Sequence, residues 1–235
     1  MKSSIKYSII MPYYNRAAQL ERTLKSFYDL YKDRNDFEVL LVEDSKNHAN
    51  AEYHAAFWKI VQSYKSKFSI YVLESTFNLL SPVRAFNYGA SQAEGAFIIL
   101  TNPECLHSVD VLKGFDEEFS KNEDCYVVCG CQALKQNGSF DMWYQHSSHR
   151  NVCLHFCTAI SRTLFKLLEG FPVEFDGGYC FDDDAFREKV KRAGIPFVLR
   201  DDLLVTHQWH VKERPAHWRE LWLRNKNLYT QMFSE

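Results

Sequence analysis

Short apolar runs alternate with stretches of helical periodicity along most of the chain. Runs with the length and composition of buried strands are Tyr7–Met11, Phe37–Glu43, Ser69–Glu74, Ala96–Leu100 and Tyr126–Leu134. Apolar residues at three- and four-residue spacing predict helices over residues 16–31, 49–67, 82–93 and 109–119. This β-α-β-α order predicts an α/β fold in which a mostly parallel sheet carries helices on both faces.

Composition narrows the classes of protein that fit. The 235 residues are 46% hydrophobic, which suits a sizeable core, and the net charge of -2 gives no basic excess for nucleic acid. The seven cysteines form no Cys-x-x-Cys pair, so we interpret them as reduced thiols. The apolar runs are too short to span a bilayer, and too few residues precede Tyr7 for a signal peptide. We therefore expect a cytoplasmic protein without a membrane span.

Polar residues follow each of the first four predicted strands. In open α/β sheets, ligands bind at the carboxyl ends of the strands, so these segments are the candidate site. They are Pro12–Arg16, Glu43–Ser45, Ser75–Gly89 and Thr101–Glu104. The chain has neither Gly-x-Gly-x-x-Gly nor Gly-x-x-x-x-Gly-Lys-Ser/Thr, so a phosphate-bearing ligand needs another neutralising group. Carboxylates at a sheet edge suit Mn²⁺ or Mg²⁺.

Four segments in order carry a family resemblance. They are "SIIMPYYNRAAQLERTLKSF", "FEVLLVEDS", "NLLSPVRAFNYGASQAEGAFIILTNPE" and "GGYCFDDDAFREKVKRAG". Over residues 7–210 the chain resembles the family 2 glycosyltransferases. The resemblance implies a GT-A fold, a nucleotide-sugar donor and an inverting transfer. It also implies one domain over residues 1–235, with a Rossmann-like nucleotide-binding half at 1–104, an acceptor half at 105–214 and a C-terminal helix at 215–235.

The metal-binding motif of the family is altered in this chain. Where the family has Asp-x-Asp, the sequence has Asn102-Pro103-Glu104. The resemblance gives Glu104 the position that most directly holds the metal. His207 and His210 follow a short apolar segment and offer imidazole ligands, of which we prefer His207. The alternative is that both imidazoles only form hydrogen bonds at the end of a strand.

Three adjacent aspartates offer a general base for the acceptor hydroxyl. Aligned with the family, Asp182 replaces a glutamate, Asp183 matches the catalytic aspartate, Asp184 is at a variable position and Lys189 replaces an arginine. Neighbouring carboxylates raise one another's pKa, which favours proton uptake. We therefore expect Asp183 to be catalytic, with Asp182 next. Capping of a helix N-terminus is the alternative for all three.

The remaining candidates would hold the donor. Asp44 matches the position that recognises the base in the family, and Arg84 in the first turn of a helix could reach the base or the diphosphate. The other predicted donor contacts are Pro12, Tyr13, Tyr14, Asn15 and Asn102. The alternatives are a turn for Asp44, core packing for the tyrosines and a surface charge for Arg84.

The leading hypothesis is transfer of a sugar from a UDP- or GDP-sugar to a hydroxyl of a glycan or another acceptor. A non-catalytic nucleotide- or sugar-binding module is one alternative, because Asn102 replaces the first acidic residue of the motif. A nucleotidyltransferase is another, although "PYYNR" is not the Gly-rich loop it would need. The amphipathic segment after Pro215 would close over the domain as a helix or form a dimer contact.

Overall fold

The computed structural model describes residues 5–77, 81–212 and 214–233. The strands are β1 (Tyr7–Tyr13), β2 (Phe37–Glu43), β3 (Ser69–Glu74), β4 (Phe97–Thr101), β5 (Cys105–His107), β6 (Tyr126–Leu134), β7 (Phe140–Gln145), β8 (Cys157–Ser161) and β9 (Phe197–His207). The helices are α1 (Ala17–Tyr31), α2 (Ser45–Ala49), α3 (Ala51–Tyr64), α4 (Val83–Gln92), α5 (Val111–Lys121), α6 (Arg162–Leu167), α7 (Asp182–Arg192) and α8 (Trp218–Phe233). Residues 78–80, which begin one of the four resembling segments, lie outside the described ranges.

One sheet runs through the described part of the chain in the order β3-β2-β1-β4-β8-β6-β9-β5, with β7 paired to β6. Strands β3, β2, β1 and β4 are parallel neighbours. Strand β8 runs antiparallel to β4 and β6, β9 runs parallel to β6, and β5 and β7 run antiparallel to β9 and β6. The carboxyl ends of β1–β4, β6 and β9 therefore meet the beginnings of β5 and β8 at one edge.

Helices cover both faces of the sheet, as the alternation of apolar residues along β1 requires. Ile9 and Met11 pack with α1, α3 and α5, whereas Ile10 packs with α4, α6 and α7. Helix α4 lies so close to the sheet that a Cβ on Gly89 would be 2.4 Å from Cγ2 of Ile10. The predicted α/β fold is confirmed.

Strands β5, β7, β8 and β9 and the short helices α2 and α6 were not predicted. Strand β7 is exposed along most of its length, and the sequence of β8, "CTAIS", has neither the period of a strand nor that of a helix. The helix predicted over residues 49–67 is observed as α3. It begins after Asn50, because the Asn50 side chain accepts from the main-chain N–H groups of Glu52 and Tyr53. The division of the chain into functional halves stays a prediction.

None of the helices in the described ranges is both long and apolar enough to cross a membrane.

Candidate active site

Glu104, His207 and His210 lie together at the carboxyl edge of the sheet. Strand β5 begins at Cys105, which is paired with His207, the last residue of β9. The main-chain N–H of Gln208 also donates to the carbonyl of Glu104 at 2.9 Å. The antiparallel pairing thus brings a carboxylate next to imidazoles that follow it by about a hundred residues in the chain. We call these three residues the Glu104 cluster.

The geometry of the Glu104 cluster suits a divalent cation. Nε2 of His207 and Nε2 of His210 each lie 3.6 Å from Oε1 of Glu104, and one ligand atom from each residue falls within 4.8 Å of the other two. Nδ1 of His210 donates to the carbonyl of Val211 at 2.9 Å, which leaves Nε2 with the lone pair that a metal requires. One carboxylate and two imidazoles form a set of ligands that suits Mn²⁺ better than Mg²⁺.

The electrostatics of the Glu104 cluster favour an ionised Glu104 carboxylate and a neutral His210 imidazole. Burial opposes ionisation of Glu104, but the contact with His207 and the charges of His210 and Arg16 outweigh it and lower its pKa. Burial lowers the pKa of His210. These are the protonation states in which the side chains bind a metal. Arg16, which ends the predicted segment Pro12–Arg16 but was given no role of its own, precedes α1 and adds a positive charge beside the cluster.

A cavity of about 400 Å³ adjoins the Glu104 cluster. His207 and His210 form part of its wall, and Tyr144 and Trp209 supply aromatic faces. Nζ of Lys212, another wall residue, donates to the hydroxyl of Tyr144 at 3.1 Å. The cavity therefore combines aromatic surface with a basic group, a combination that suits a polar ligand with ring faces.

The three adjacent aspartates begin α7 and have different environments. Asp182 is buried, Asp183 is about one third exposed, and Asp184 forms an ion pair with Arg187 at 3.0 Å. Burial and the neighbouring Asp183 raise the pKa of Asp182 to about 7. Burial and Asp184 raise the pKa of Asp183 to about 7. Since interacting carboxylates titrate as a unit, the pair holds and releases protons near neutral pH.

His155 connects the aspartates to the segment that carries Glu104. Nε2 of this buried histidine lies 3.5 Å from Oδ1 of Asp183, and its main chain forms a hydrogen bond with the same carboxylate. Its carbonyl accepts from Nδ2 of Asn102 at 3.5 Å. Nδ1 contacts the hydroxyl of Tyr126 at 2.9 Å, and burial lowers the pKa of His155 to about 4, so the ring is neutral at pH 7. Sequence reasoning missed His155, because nothing near it resembles a motif.

Helix α8 holds the loop that precedes the aspartates. Cys180 and Phe181 have φ values of 63° and 68°, which are unusual for residues with a side chain. The fully buried Asn225 donates through Nδ2 to the carbonyls of Phe175 at 3.1 Å and Cys180 at 2.8 Å. A Cβ on Gly178 would lie 1.9 Å from Oδ1 of Asn225, so that position requires glycine. Asn225 therefore fixes the start of α7, and its role has no signal in the sequence.

The predicted donor contacts at the end of β1 differ in how much of each residue is exposed. Pro12 and Tyr13 are buried residues of β1, and the ring of Tyr13 stacks on Phe57 at 4.2 Å in the core. The Tyr13 ring therefore packs in the core, which is the alternative to a donor contact that the sequence left open for it. Tyr14 is partly exposed at the carboxyl edge, and Asn15 follows it with a φ of 42°.

The other predicted donor contacts already have protein partners. Asp44 is the N-cap of α2, where its Oδ1 accepts from the main-chain N–H of Lys46 at 2.6 Å. Nε of Arg84 pairs with Oδ2 of Asp176 at 2.6 Å, and about half of the Arg84 side chain is exposed. Asn102, after β4, donates to His155 as described above. Asp44 and Asn102 lie at the carboxyl edge of the sheet, and Arg84 lies in the first turn of α4.

Comparison with solved structures identifies the architecture. The chain resembles a mannosyltransferase from Pyrobaculum calidifontis, PcManGT, in complex with GDP-Man and Mn²⁺, with a TM-score of 0.67 and 17% identity. That match covers 97% of this chain and 63% of the other. It also resembles residues 1–349 of Staphylococcus aureus TarS in complex with UDP-GlcNAc, with a TM-score of 0.71 and 18% identity over 89% of this chain and 60% of the other.

Sequence comparison gives a related result. The chain is 26% identical over 109 residues to the poly(ribitol-phosphate) beta-N-acetylglucosaminyltransferase TarS of Staphylococcus aureus, which is 46% of this chain and 18% of that protein. The chain thus spans about a fifth of the aligned relative's length. A family model, Glycosyl transferase family 2, matches residues 8–186, which include the Asn102–Glu104 segment and the three aspartates. The protein therefore belongs to glycosyl transferase family 2, as the four motifs predicted.

Proposed function

We propose that this protein transfers a sugar from a nucleotide-sugar donor to an acceptor hydroxyl, with inversion at the anomeric carbon. The observation that carries the proposal is the juxtaposition around His155. On one side of it, Asn102 begins the segment that leads to the Glu104 cluster; on the other, Asp183 has a pKa of about 7. A metal-binding group and a proton acceptor at one sheet edge are what such a transfer requires.

The Glu104 cluster would hold the diphosphate end of the donor through a divalent cation. Glu104, His207 and His210 supply one carboxylate and two imidazoles for Mn²⁺ or Mg²⁺, and imidazole favours Mn²⁺. When bound, the ion offsets the negative charge that develops on the departing nucleoside diphosphate. Arg16 adds a positive charge on the same side.

The donor's nucleoside would lie over the ends of β1 and β2. A carboxylate at Asp44 accepts well from an N–H group of a pyrimidine or purine, and the hydrogen bond to Lys46 occupies Oδ1. Tyr14 and Asn15 border the same edge, and Asn102 lies toward the diphosphate. Arg84 would have to exchange its ion pair with Asp176 for a contact with the donor.

The acceptor would be activated by Asp183. A hydroxyl is a weak nucleophile unless a base takes its proton as the new bond forms. Asp183 would take that proton as the hydroxyl oxygen attacks the anomeric carbon and the bond to the diphosphate breaks on the opposite face. The neutral His155 positions the carboxylate, and burial together with the charge of Asp184 keeps its proton affinity high.

The relatives support a UDP- or GDP-sugar as donor. TarS is described with UDP-GlcNAc and PcManGT with GDP-Man and Mn²⁺. A glycan is the acceptor class we propose, because the cavity beside the Glu104 cluster has aromatic walls. All seven cysteines are free thiols and six are buried, which supports the predicted cytoplasmic setting.

The test is release of free nucleoside diphosphate from a panel of UDP-, GDP- and dTDP-sugars with Mn²⁺, in the presence of acceptor glycans. We expect turnover of at least one donor with product of inverted anomeric configuration, and loss of turnover in Asp183→Asn. A non-catalytic binding module, the second candidate that Asn102 allows, would bind a nucleotide but release no diphosphate. Retention of anomeric configuration in the product would contradict the single-displacement chemistry.

A further inference from the structure

A second group of one carboxylate and two imidazoles lies where β2 passes into α2 and α3. Glu43 is the last residue of β2, His48 lies in α2 and His54 lies in α3. One ligand atom from each falls within 4.8 Å of the other two. We call these residues the Glu43 cluster. The proposed sugar transfer makes no use of it, since the Glu104 cluster serves the diphosphate.

The carboxylate of Glu43 is buried with half of its hydrogen-bonding capacity unused. Its side chain has no exposed surface. Oε1 accepts from Nδ2 of Asn47 at 2.6 Å and from Nδ1 of His54 at 2.9 Å. Oε2 has no hydrogen-bond partner within the described ranges and lies 3.8 Å from Nδ1 of His48. Burying an ionised carboxylate without full compensation is unfavourable, so this oxygen points to a missing positive group.

The described lysines and arginines do not supply that group, because the described ion pairs of Glu43 are with His48 and His54. A cation bound by all three side chains would supply it. In a tetrahedral zinc site, ligand atoms about 2.1 Å from the ion lie about 3.4 Å from one another. The distances of 2.9 Å and 3.8 Å from the Glu43 carboxylate to the two imidazoles bracket that value. The spacing of the carboxylate and imidazole atoms is therefore close to that of zinc ligands.

The surroundings provide access on one side and packing on the other. The His48 side chain is about half exposed, so an ion can enter there and keep water as a fourth ligand. The ring of His54 packs edge-on against the ring of Trp58, with 6.1 Å between the ring centroids, and this contact limits its rotation. The His54 imidazole, restricted in this way, loses little conformational freedom on binding a metal.

We propose that Glu43, His48 and His54 form a second metal site, for a transition metal ion of the zinc class. The ion would tie α2 and α3 to the end of β2. Asn47 donates a hydrogen bond to Glu43, and its Oδ1 accepts one from the main-chain N–H of Asn15 at 3.1 Å. The site therefore supports the loop after β1. The proposal does not depend on the proposed sugar transfer.

The experiment measures Co²⁺ binding to the full chain in a Cys180→Ser, His207→Ala, His210→Ala background. This background removes two ligands of the Glu104 cluster and the exposed thiol. Calorimetry and the visible absorption of Co²⁺ should both report one bound Co²⁺ ion per chain. Adding His48→Ala and His54→Ala should abolish it. Zn²⁺ should raise the melting temperature of the background variant but not of the variant lacking both histidines.

Two further variants guard the result. Glu43→Gln has nearly the same shape and should lower Co²⁺ affinity at least about tenfold, so a folding defect in the double histidine variant would not decide the question. The control His146→Ala with His149→Ala removes another pair of neighbouring histidines, whose ring centroids lie 4.6 Å apart. It should leave the binding of one Co²⁺ ion per chain unchanged. Absence of Co²⁺ binding in the background variant, or binding that survives loss of His48 and His54, would overturn the site.

Discussion

Glu104 and the pair Asp182 and Asp183 are carboxylates in one site with opposite electrostatics. The pKa of Glu104 is lowered, whereas the pKa values of Asp182 and Asp183 are raised to about 7. Burial opposes ionisation in both regions. The difference lies in the neighbours, which are two imidazoles and an arginine around Glu104 and further carboxylates around the aspartates.

This contrast indicates how the same chemical group, a carboxylate, can serve two purposes at one sheet edge. A carboxylate beside cationic or metal-binding groups stays ionised and can serve as a ligand. A carboxylate beside other carboxylates takes up a proton near neutral pH and can serve as a base. The comparison leads to the following experiments.

Asp183→Asn should have the largest effect. Asparagine keeps the shape of the side chain but cannot take the proton, so turnover should fall about 10²–10⁴-fold. Donor affinity and melting temperature should change little, because the base contacts the acceptor. The matched control is Asp184→Asn, because the Asp184 carboxylate of the unchanged chain pairs with Arg187. An Asp183→Asn enzyme with turnover within about threefold of wild type would transfer the role to Asp182.

Glu104→Gln should act on the metal and not on the proton. Loss of the carboxylate should lower Mn²⁺ affinity at least about 100-fold, more than the loss of a supporting group around a metal. Nucleotide binding measured by calorimetry should fall in Mn²⁺ and should be unchanged in EDTA. Equal nucleotide affinity of the wild type in Mn²⁺ and in EDTA would remove the metal from the proposal.

Asp44→Ser tests the base pocket while keeping the cap of α2, since serine is also a good N-cap. Loss of a charge-assisted hydrogen bond should cost about 1.5–3 kcal/mol of nucleotide binding free energy. Mn²⁺ affinity should not change. If the nucleotide dissociation constant stays at the wild-type value, Asp44 serves only to cap the helix.

The pH dependence of kcat/KM should report the aspartate pair. A base works only when deprotonated, so activity should rise with pH through about 7, the pKa of Asp183. Because Asp184 raises that pKa, Asp184→Asn should move the acidic limb to lower pH. An acidic limb at the position of an ordinary aspartate, about pH 4, would contradict the raised pKa.

Asn225→Ala should give the smallest effect on chemistry. It leaves the carbonyls of Phe175 and Cys180 without their partner, at a cost of about 1–3 kcal/mol of unfolding free energy. Turnover should fall moderately because the start of α7 is less well fixed, while Mn²⁺ affinity stays constant. The measurements are urea unfolding, turnover and Mn²⁺ titration. Loss of Mn²⁺ affinity would show that the two regions are not independent.

The sequence predicted the first half of the fold well and the second half only in part. Strands β1, β2 and β3 are short apolar runs paired in parallel, and their apolar composition was enough to predict them. The bounds of β6 were also predicted to the residue. Strands β5, β7 and β8 are short or exposed, so periodicity could not distinguish them. Their antiparallel pairing is set by tertiary contacts that no local pattern encodes.

The members of the candidate site that the sequence proposed lie in or near motifs. The resemblance directed attention to Glu104 and Asp183, and the histidines near the end of β9 followed from their residue type. The sequence analysis preferred His207 to His210 as a metal ligand, but the two imidazoles lie equally close to Glu104. Asn225 and His155 act through hydrogen bonds and contacts that form only in the folded chain. Residues of that kind carry no periodicity or spacing that a single sequence reveals.

The dependence of the aspartate loop on α8 has a consequence for synthesis. The ribosome releases the parallel strands and the three aspartates before it releases Asn225, whose side chain fixes the loop in front of them. A nascent chain can thus form its sheet while the proposed base is still poorly oriented. The orientation of the proposed base would then depend on the emergence of α8, in addition to the formation of the sheet.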